Sequence, residues 1–144
     1  MSLQINVASE EDLGSIIRLL SEYDLPTQDI GDSDIEFYVV KKGRDLVACV
    51  GLEIIEDTAL LRSLAIEKES AHQGIGTQLV KFILDESSVK QLKSIFLLTE
   101  TAASFFTKLG FKTIERNSAP EAMQRSTEFS ELCAETAVCM KIDL

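Results

Sequence analysis

A chain of 144 residues, 45% hydrophobic and 26% charged, has room for one domain with a proper core but not for two. Fourteen Lys and Arg against 24 Asp and Glu give a formal net charge of −10, which excludes a nonspecific nucleic-acid or anionic-membrane binder, since both need a basic face. Three cysteines and a single histidine, His72, argue against a disulfide framework and against the usual zinc sites, so no metal is expected.

No apolar run approaches the ~20 residues that cross a bilayer. The start, Met-Ser-Leu-Gln-Ile-Asn-Val, lacks the basic opening and apolar stretch of a signal peptide. The expectation is one acidic cytoplasmic domain over residues 1–144, without repeats, low-complexity tracts or linkers.

In chain order, Leu3, Ile5 and Val7 alternate as a strand does, and Ser9-Glu10-Glu11-Asp12 caps a helix with Leu13, Ile16, Ile17 and Leu20 at helical spacing. Asp24 to Asp34 reads as a loop or a short second helix. Ile35 to Val40 is a predicted strand, Lys42-Gly43-Arg44-Asp45 a turn, and Leu46 to Ile55 a buried strand. Glu56-Asp57 turns the chain into a strand from Thr58 to Glu67. After Gly74-Ile75-Gly76, the residues Leu79, Val80, Ile83 and Leu84 form a helical stripe. A strand at Ser94 to Thr99, a helix at Ala102 to Leu109 and a strand at Phe111 to Glu115 follow. Pro120 opens a helix at its first turn, running to about Leu132, and Ala137 to Ile142 is the last strand. This order predicts an α/β domain with a mixed sheet covered on both faces.

The most informative stretch runs from Leu61-Arg62-Ser63-Leu64-Ala65-Ile66 through a polar loop into Gln73-Gly74-Ile75-Gly76-Thr77. Two glycines at a helix start let backbone N–H groups converge on one point, where the helix adds partial positive charge. Such a loop holds a phosphate without basic side chains; it also serves as a helix start whose glycines permit close packing. Leu79 stands where a dinucleotide fingerprint needs a third small residue, and Leu79-Val80-Lys81 does not supply a P-loop lysine.

Ala71-His72-Gln73-Gly74-Ile75-Gly76 resembles the pyrophosphate loop of the GNAT superfamily of acetyltransferases, Arg/Gln-x-x-Gly-x-Gly/Ala. Thr101-Ala102-Ala103-Ser104-Phe105-Phe106-Thr107-Lys108-Leu109-Gly110-Phe111 is similar to that family's helix and its Leu-Gly-Phe turn. Leu61 to Ile66 and Leu97-Leu98-Thr99-Glu100-Thr101-Ala102 resemble the amino-acid N-acetyltransferase branch, which includes the N-acetylglutamate synthases. The tail from Glu128 to Met140 is similar to small GNAT enzymes of arsenic-resistance operons. The resemblance implies the GNAT fold, with a mixed central sheet of about seven strands and helices on both faces. It also implies acetyl-CoA as cosubstrate and a small-molecule amine acceptor, an amino acid or an amino-acid-like arsenical. A homodimer, as in many relatives, goes with it.

The same resemblance assigns the cosubstrate to Leu64, Ala65 and Ile66, to the loop Ala71, His72, Gln73, Gly74, Ile75, Gly76 and Thr77, and to Thr101, Ser104, Phe105 and Lys108. A splayed strand pair, Ala59 to Ile66 against Ser94 to Thr99, would admit the pantetheine arm. There are two departures from the family pattern. Ala71 replaces the first arginine or glutamine of the motif, and Phe106 stands where many relatives place a tyrosine that protonates the thiolate.

Acetyl transfer needs a neutral amine, a polarised carbonyl and a stabilised thiolate. Thr99, Thr101 and Ser104 offer hydroxyls at the right end of the strand. If Glu56-Asp57 is a two-residue hairpin turn, Glu53 pairs with Leu60 and lies diagonal to Arg62 on one sheet face. Glu53 is then a candidate base and Arg62 a candidate clamp for a substrate carboxylate; alternatively the two neutralise each other inside the domain. His72 reads as a phosphate contact or an exposed loop residue. Cys133 and Cys139 read as an arsenical-binding pair or as packing, Cys49 as core, and the acids between Asp24 and Glu36 as a cation-recognising or solvated loop. Two rivals to the enzyme remain: an acetyl-CoA-binding sensor without turnover, and a thiol-based arsenical binder.

Overall fold

The computed structural model describes residues 4–30, 35–71, 73–132 and 136–144. Strands β1 (Ile5–Val7), β2 (Ile35–Lys42), β3 (Asp45–Ile55) and β4 (Thr58–Ile66) form an antiparallel meander, entered after β1 through helix α1 (Leu13–Glu22). Helix α2 (Ile75–Val89) crosses over to β5 (Ser94–Thr99), which pairs parallel to β4. Helix α3 (Ala103–Lys108), β6 (Lys112–Ile114), the short helix α4 (Glu121–Gln124) and β7 (Val138–Asp143) complete the order β1-β2-β3-β4-β5-β7-β6. The predicted mixed sheet is present, with seven strands among the described residues.

Period-2 alternation along the strands sorts the apolar residues onto two faces. On one, Ile75, Leu79, Val80 and Ile83 of α2 and Phe106 of α3 bury Val50, Leu52, Ala59, Leu61, Ile95 and Leu97. On the other, Ile16, Leu19 and Leu20 of α1 cover Phe37, Val39, Cys49 and Ala65, while Met123 and Phe129 cover Leu60, Phe96 and Cys139. Gly110, at φ +104, ends α3 in a conformation that costs other residues energy and returns Phe111 to the core beside Phe106.

The helix expected from Pro120 to about Leu132 is not continuous. α4 stops at Gln124, and a π-helical turn occupies Glu128–Leu132. Ser126 breaks the run: its hydroxyl donates to the Met123 carbonyl at 2.6 Å and accepts the Phe129 N–H at 3.4 Å, competing with the helical ladder. Arg116 donates to the Phe129 carbonyl at 2.8 Å and fixes the displaced turn. Within Asp24 to Asp34 the described part carries no helix, only turns.

Strand β4 has two features that open a site. Its ladder with β5 consists of Thr58↔Ser94, Ala59↔Ile95 and Leu60↔Phe96, yet β4 continues to Ile66, paired among the described residues on its β3 side only. Between Cys49↔Ala65 and Gly51↔Arg62 it also carries one residue more than β3, a bulge containing Ser63 at φ +58. The bulge resets the alternation, so that Leu61 and Leu64 share the α2 face while Ala65 joins the α1 face.

Candidate active site

Where β4 and β5 diverge, a cavity of about 460 Å³ opens. Its walls are Leu61 to Ile66 of β4, Leu97 to Thr99 of β5, the following Glu100 to Ala102, Phe106 of α3, Tyr23 to Pro26 after α1, and Glu128 and Ala137. This volume is in the range of small-molecule sites. The Tyr23 hydroxyl donates to the Ile66 carbonyl and ties the end of α1 to the far end of β4. The Thr99 hydroxyl accepts the Ala102 N–H at 3.0 Å, which turns the chain from β5 into α3.

A second depression of about 390 Å³ shares Leu64, Ala65 and Ile66 with the first and is closed by Ser70, Gly74, Ile75, Gly76, Thr77 and Phe105. Gly74 caps α2 at φ +78, and the first bond within the helix runs from the Gln78 N–H to the Gly74 carbonyl at 3.1 Å. The N–H groups of the first turn therefore have no partner inside the helix, and the helix dipole adds positive potential where they converge. A Cβ on Gly76 would stand 3.0 Å from Ile66 Cδ1 and 3.4 Å from Phe105 Cζ, so a side chain there crowds the residues that border this depression.

Beneath the first cavity lies Arg62, its side chain 0% exposed. Its Nη1 and Nη2 bind Asp29 bidentately at 2.5 and 2.6 Å, Nη1 also reaches Glu53 at 3.1 Å, and Nε lies 3.6 Å from Glu128. The carboxylates come from the loop after α1, from β3 and from the π-helical turn, so the arginine joins the two packed clusters of that face. Burial lowers the Arg62 pKa, whereas the hydrogen bonds to Asp29 and Glu53 and the negative charge of Glu128 and Asp29 raise it, with a net upward shift.

Burial pushes the Glu128 carboxyl from 4.5 up to about 7; Arg62 opposes this, and Asp29 and Glu53 add to it. A carboxyl with a raised folded-state pKa stabilises the fold fully below about 4.5 and loses that contribution as the pH rises through about 7. Wild type should therefore lose stability relative to Glu128→Gln between about pH 4.5 and pH 8, by roughly 1–3 kcal/mol. Urea unfolding at several pH values measures the difference; parallel curves would contradict this account.

The family model for the acetyltransferase (GNAT) domain matches residues 33–113. The chain belongs to the GNAT acetyltransferase family. The amino-acid acetyltransferase of Pseudomonas fluorescens (strain Pf0-1) is 30% identical over 129 residues, covering 82% of this chain and 30% of its own length. That of Pseudomonas aeruginosa (strain LESB58) is 29% identical over 143 residues, covering 89% and 33%. The chain thus spans about a third of the length of the curated relatives it matches. Among solved structures, N-acetylglutamate synthase from Neisseria gonorrhoeae complexed with coenzyme A and N-acetyl-glutamate has a TM-score of 0.84 at 19% identity, covering 100% of this chain and 35% of that one. Rv2747 from Mycobacterium tuberculosis, in a complex containing CoA, has a TM-score of 0.83 at 24% identity, with 98% and 99% covered. These two likenesses establish the shared GNAT fold.

On this GNAT fold, the residues singled out in the sequence separate into groups. Leu64, Ala65, Ile66, Gly74, Ile75, Gly76, Thr77 and Phe105 meet around the second depression, and Thr99 and Thr101 line the first. Ala71 and Gln73 lie beside the loop without lining either; Gln73 is exposed and accepts a bond from Lys42 Nζ at 3.0 Å. Ser104 and Lys108 are on the exposed side of α3, away from both cavities. Glu53 pairs with Leu60 as expected and sits under Arg62 rather than in the cavity wall.

Phe106 lines the first cavity, packed edge-on against Phe105 and Phe111. Cys49 is buried under α1, its thiol pushed up to about 12 by burial. Cys139 is buried among Leu60, Phe96 and Phe129. His72 and Cys133 lie outside the described residues. Sequence reasoning did not single out Asp29 or Glu128 by themselves. Their one sequence signal was an arginine inside an apolar strand, which demands carboxylates from elsewhere in the chain.

Proposed function

We propose that the chain is an acetyl-CoA-dependent N-acetyltransferase acting on the amine of a small molecule. The observation that carries this reading is the unpaired end of β4, open toward β5, which joins a helix-start groove to a small-molecule-sized cavity. The first-turn N–H groups at Ile75, Gly76 and Thr77 hold the diphosphate. The gap between the strands takes the pantetheine arm as an added strand takes its place beside an edge. The bulge at Ser63 turns the following backbone N–H groups toward the thioester carbonyl, whose oxygen gains charge during transfer.

The acceptor enters from the side of Tyr23, Asp24 and Glu100. An amino acid or an amino-acid-like amine is supported by the relatives named amino-acid acetyltransferases; an arsenical analogue is supported by the resemblance of the tail alone. Arg62 is occupied by three carboxylates and does not serve as a clamp for an acceptor carboxylate. The charged residues of the cavity wall are Asp24, Arg62, Glu100 and Glu128, three acids against one base, so a dicarboxylic acceptor is disfavoured.

Calorimetry with acetyl-CoA, followed by thiol release with a panel of neutral amino acids, basic amines and glutamate, tests the reading. The expected result is saturable binding and turnover with members of the panel, glutamate being among the poorest. Failure of both binding and thiol release overturns the proposal. Tight binding without transfer to any amine makes the protein a sensor of acetyl-CoA instead.

A further inference from the structure

Among the acids of the cavity wall, Glu128 differs from the other two. Asp24 and Glu100 are exposed at the mouth, whereas Glu128 is 5% exposed and faces the interior. Its carboxylate accepts no hydrogen bond among the described residues, and its ion-pair partner, Arg62 Nε, is 3.6 Å away, beyond hydrogen-bonding distance. Glu53 is bound to Arg62 at 3.1 Å and does not line the cavity, so it cannot meet an acceptor there. The π-helical turn, fixed by Arg116 and Ser126, presents Glu128 as a continuous helix would not. Single π-turns inside helical segments recur at functional sites for this kind of re-aiming.

We propose that Glu128 accepts the proton of the incoming ammonium group, directly or through one water. This rests on the acetyltransferase reading above and adds the base that the reading lacks. The ammonium N–H bond breaks toward a Glu128 carboxylate oxygen, leaving a neutral amine whose lone pair forms the C–N bond at the thioester carbonyl. The C–S bond then breaks with its electron pair on sulfur. One of the two protons left on nitrogen goes to the thiolate, the other stays on the amide, and the proton on Glu128 leaves to solvent through the cavity mouth. One amide, one thiol and one released proton balance the ammonium and the thioester.

The surroundings suit the role. Arg62 keeps Glu128 partly ionised, while burial, Asp29 and Glu53 push it the other way, to about 7. A base poised near the working pH combines a useful ionised fraction with a useful driving force. Among the described residues, the charged groups acting on it are Arg62, Asp29 and Glu53, and Asp24 and Glu100 line the same cavity.

The test compares wild type with Glu128→Gln and Glu128→Asp, in kcat, kcat/KM against pH, acetyl-CoA affinity and thermal unfolding. A carbon-13 NMR titration of the glutamate carboxyls of the free protein is run alongside. The expected result is a kcat about 100-fold to 1,000-fold lower in the glutamine variant, with acetyl-CoA affinity unchanged. The limb of kcat/KM near pH 7 should disappear, and activity should return only as rising pH supplies free amine. The NMR signal titrating near pH 7 should be lost, and the aspartate variant should keep the limb at reduced kcat. A glutamine variant with wild-type kcat and pH profile overturns the proposal while leaving the acetyltransferase reading intact. Wild type that neither binds acetyl-CoA nor releases thiol removes the reading itself. If the glutamine variant does not fold, the aspartate variant decides: wild-type kcat with no limb near pH 7 overturns the assignment.

Discussion

Replacing Arg62 by methionine lowers the stability of the fold by about 3–5 kcal/mol. The guanidinium is fully buried and meets Asp29, Glu53 and Glu128 from three separate segments. Methionine fills much of the same volume, so packing loss is small; what is lost is the positive charge that three acids share. Removing one partner of a buried ion pair is far more costly than removing the whole set, because the remaining charges keep no compensation. A combined variant, Arg62→Met with Asp29→Asn, Glu53→Gln and Glu128→Gln, should therefore recover a large part of the loss. Urea unfolding of the two variants measures both effects. A loss below about 1 kcal/mol in the single variant would show that the cluster is not what joins that face.

Replacing Gly76 by valine should weaken acetyl-CoA binding by about 100-fold or more, about 2.8 kcal/mol. Ile66 Cδ1 and Phe105 Cζ already stand 3.0 and 3.4 Å from the place a Cβ would take, and both residues line the depression. A branched side chain must push them into that space or fill it itself. The fold should survive, since overpacking of this kind costs about 1–3 kcal/mol and the neighbours are ends of flexible side chains. Calorimetry gives the affinity, and far-UV circular dichroism with thermal unfolding checks the fold. An affinity within threefold of wild type, on an intact fold, would place the diphosphate elsewhere.

The elements that were legible in the sequence are those with a strong local period or a turn of defined length. The two-residue Glu56-Asp57 turn set the β3–β4 register, so the pairing of Glu53 with Leu60 and its diagonal position to Arg62 followed from counting. Gly74 and Gly76 marked the start of α2 because a chain reversal and a close approach there leave few alternatives to glycine. The C-terminal region misled. Its apolar spacing and Pro120 read as one helix, but the capture of Met123 and Phe129 by Ser126 and the inward draw of Glu128 are gains that periodicity does not register. Likewise, no pattern in Leu61 to Ile66 announces that an extra residue is accommodated at Ser63.

By itself, then, the sequence determined the order of strands and helices as far as β6, the family and the loop at the start of α2, because each depends on residues near one another along the chain. Which carboxylates gather around Arg62, how wide the β4–β5 opening is, and which acid faces the cavity were decided only in the tertiary structure. Asp29, Glu53 and Glu128 reach one guanidinium from positions up to 99 residues apart. Their meeting reflects the need to neutralise a buried charge, a requirement that acts across space and leaves no period in the chain.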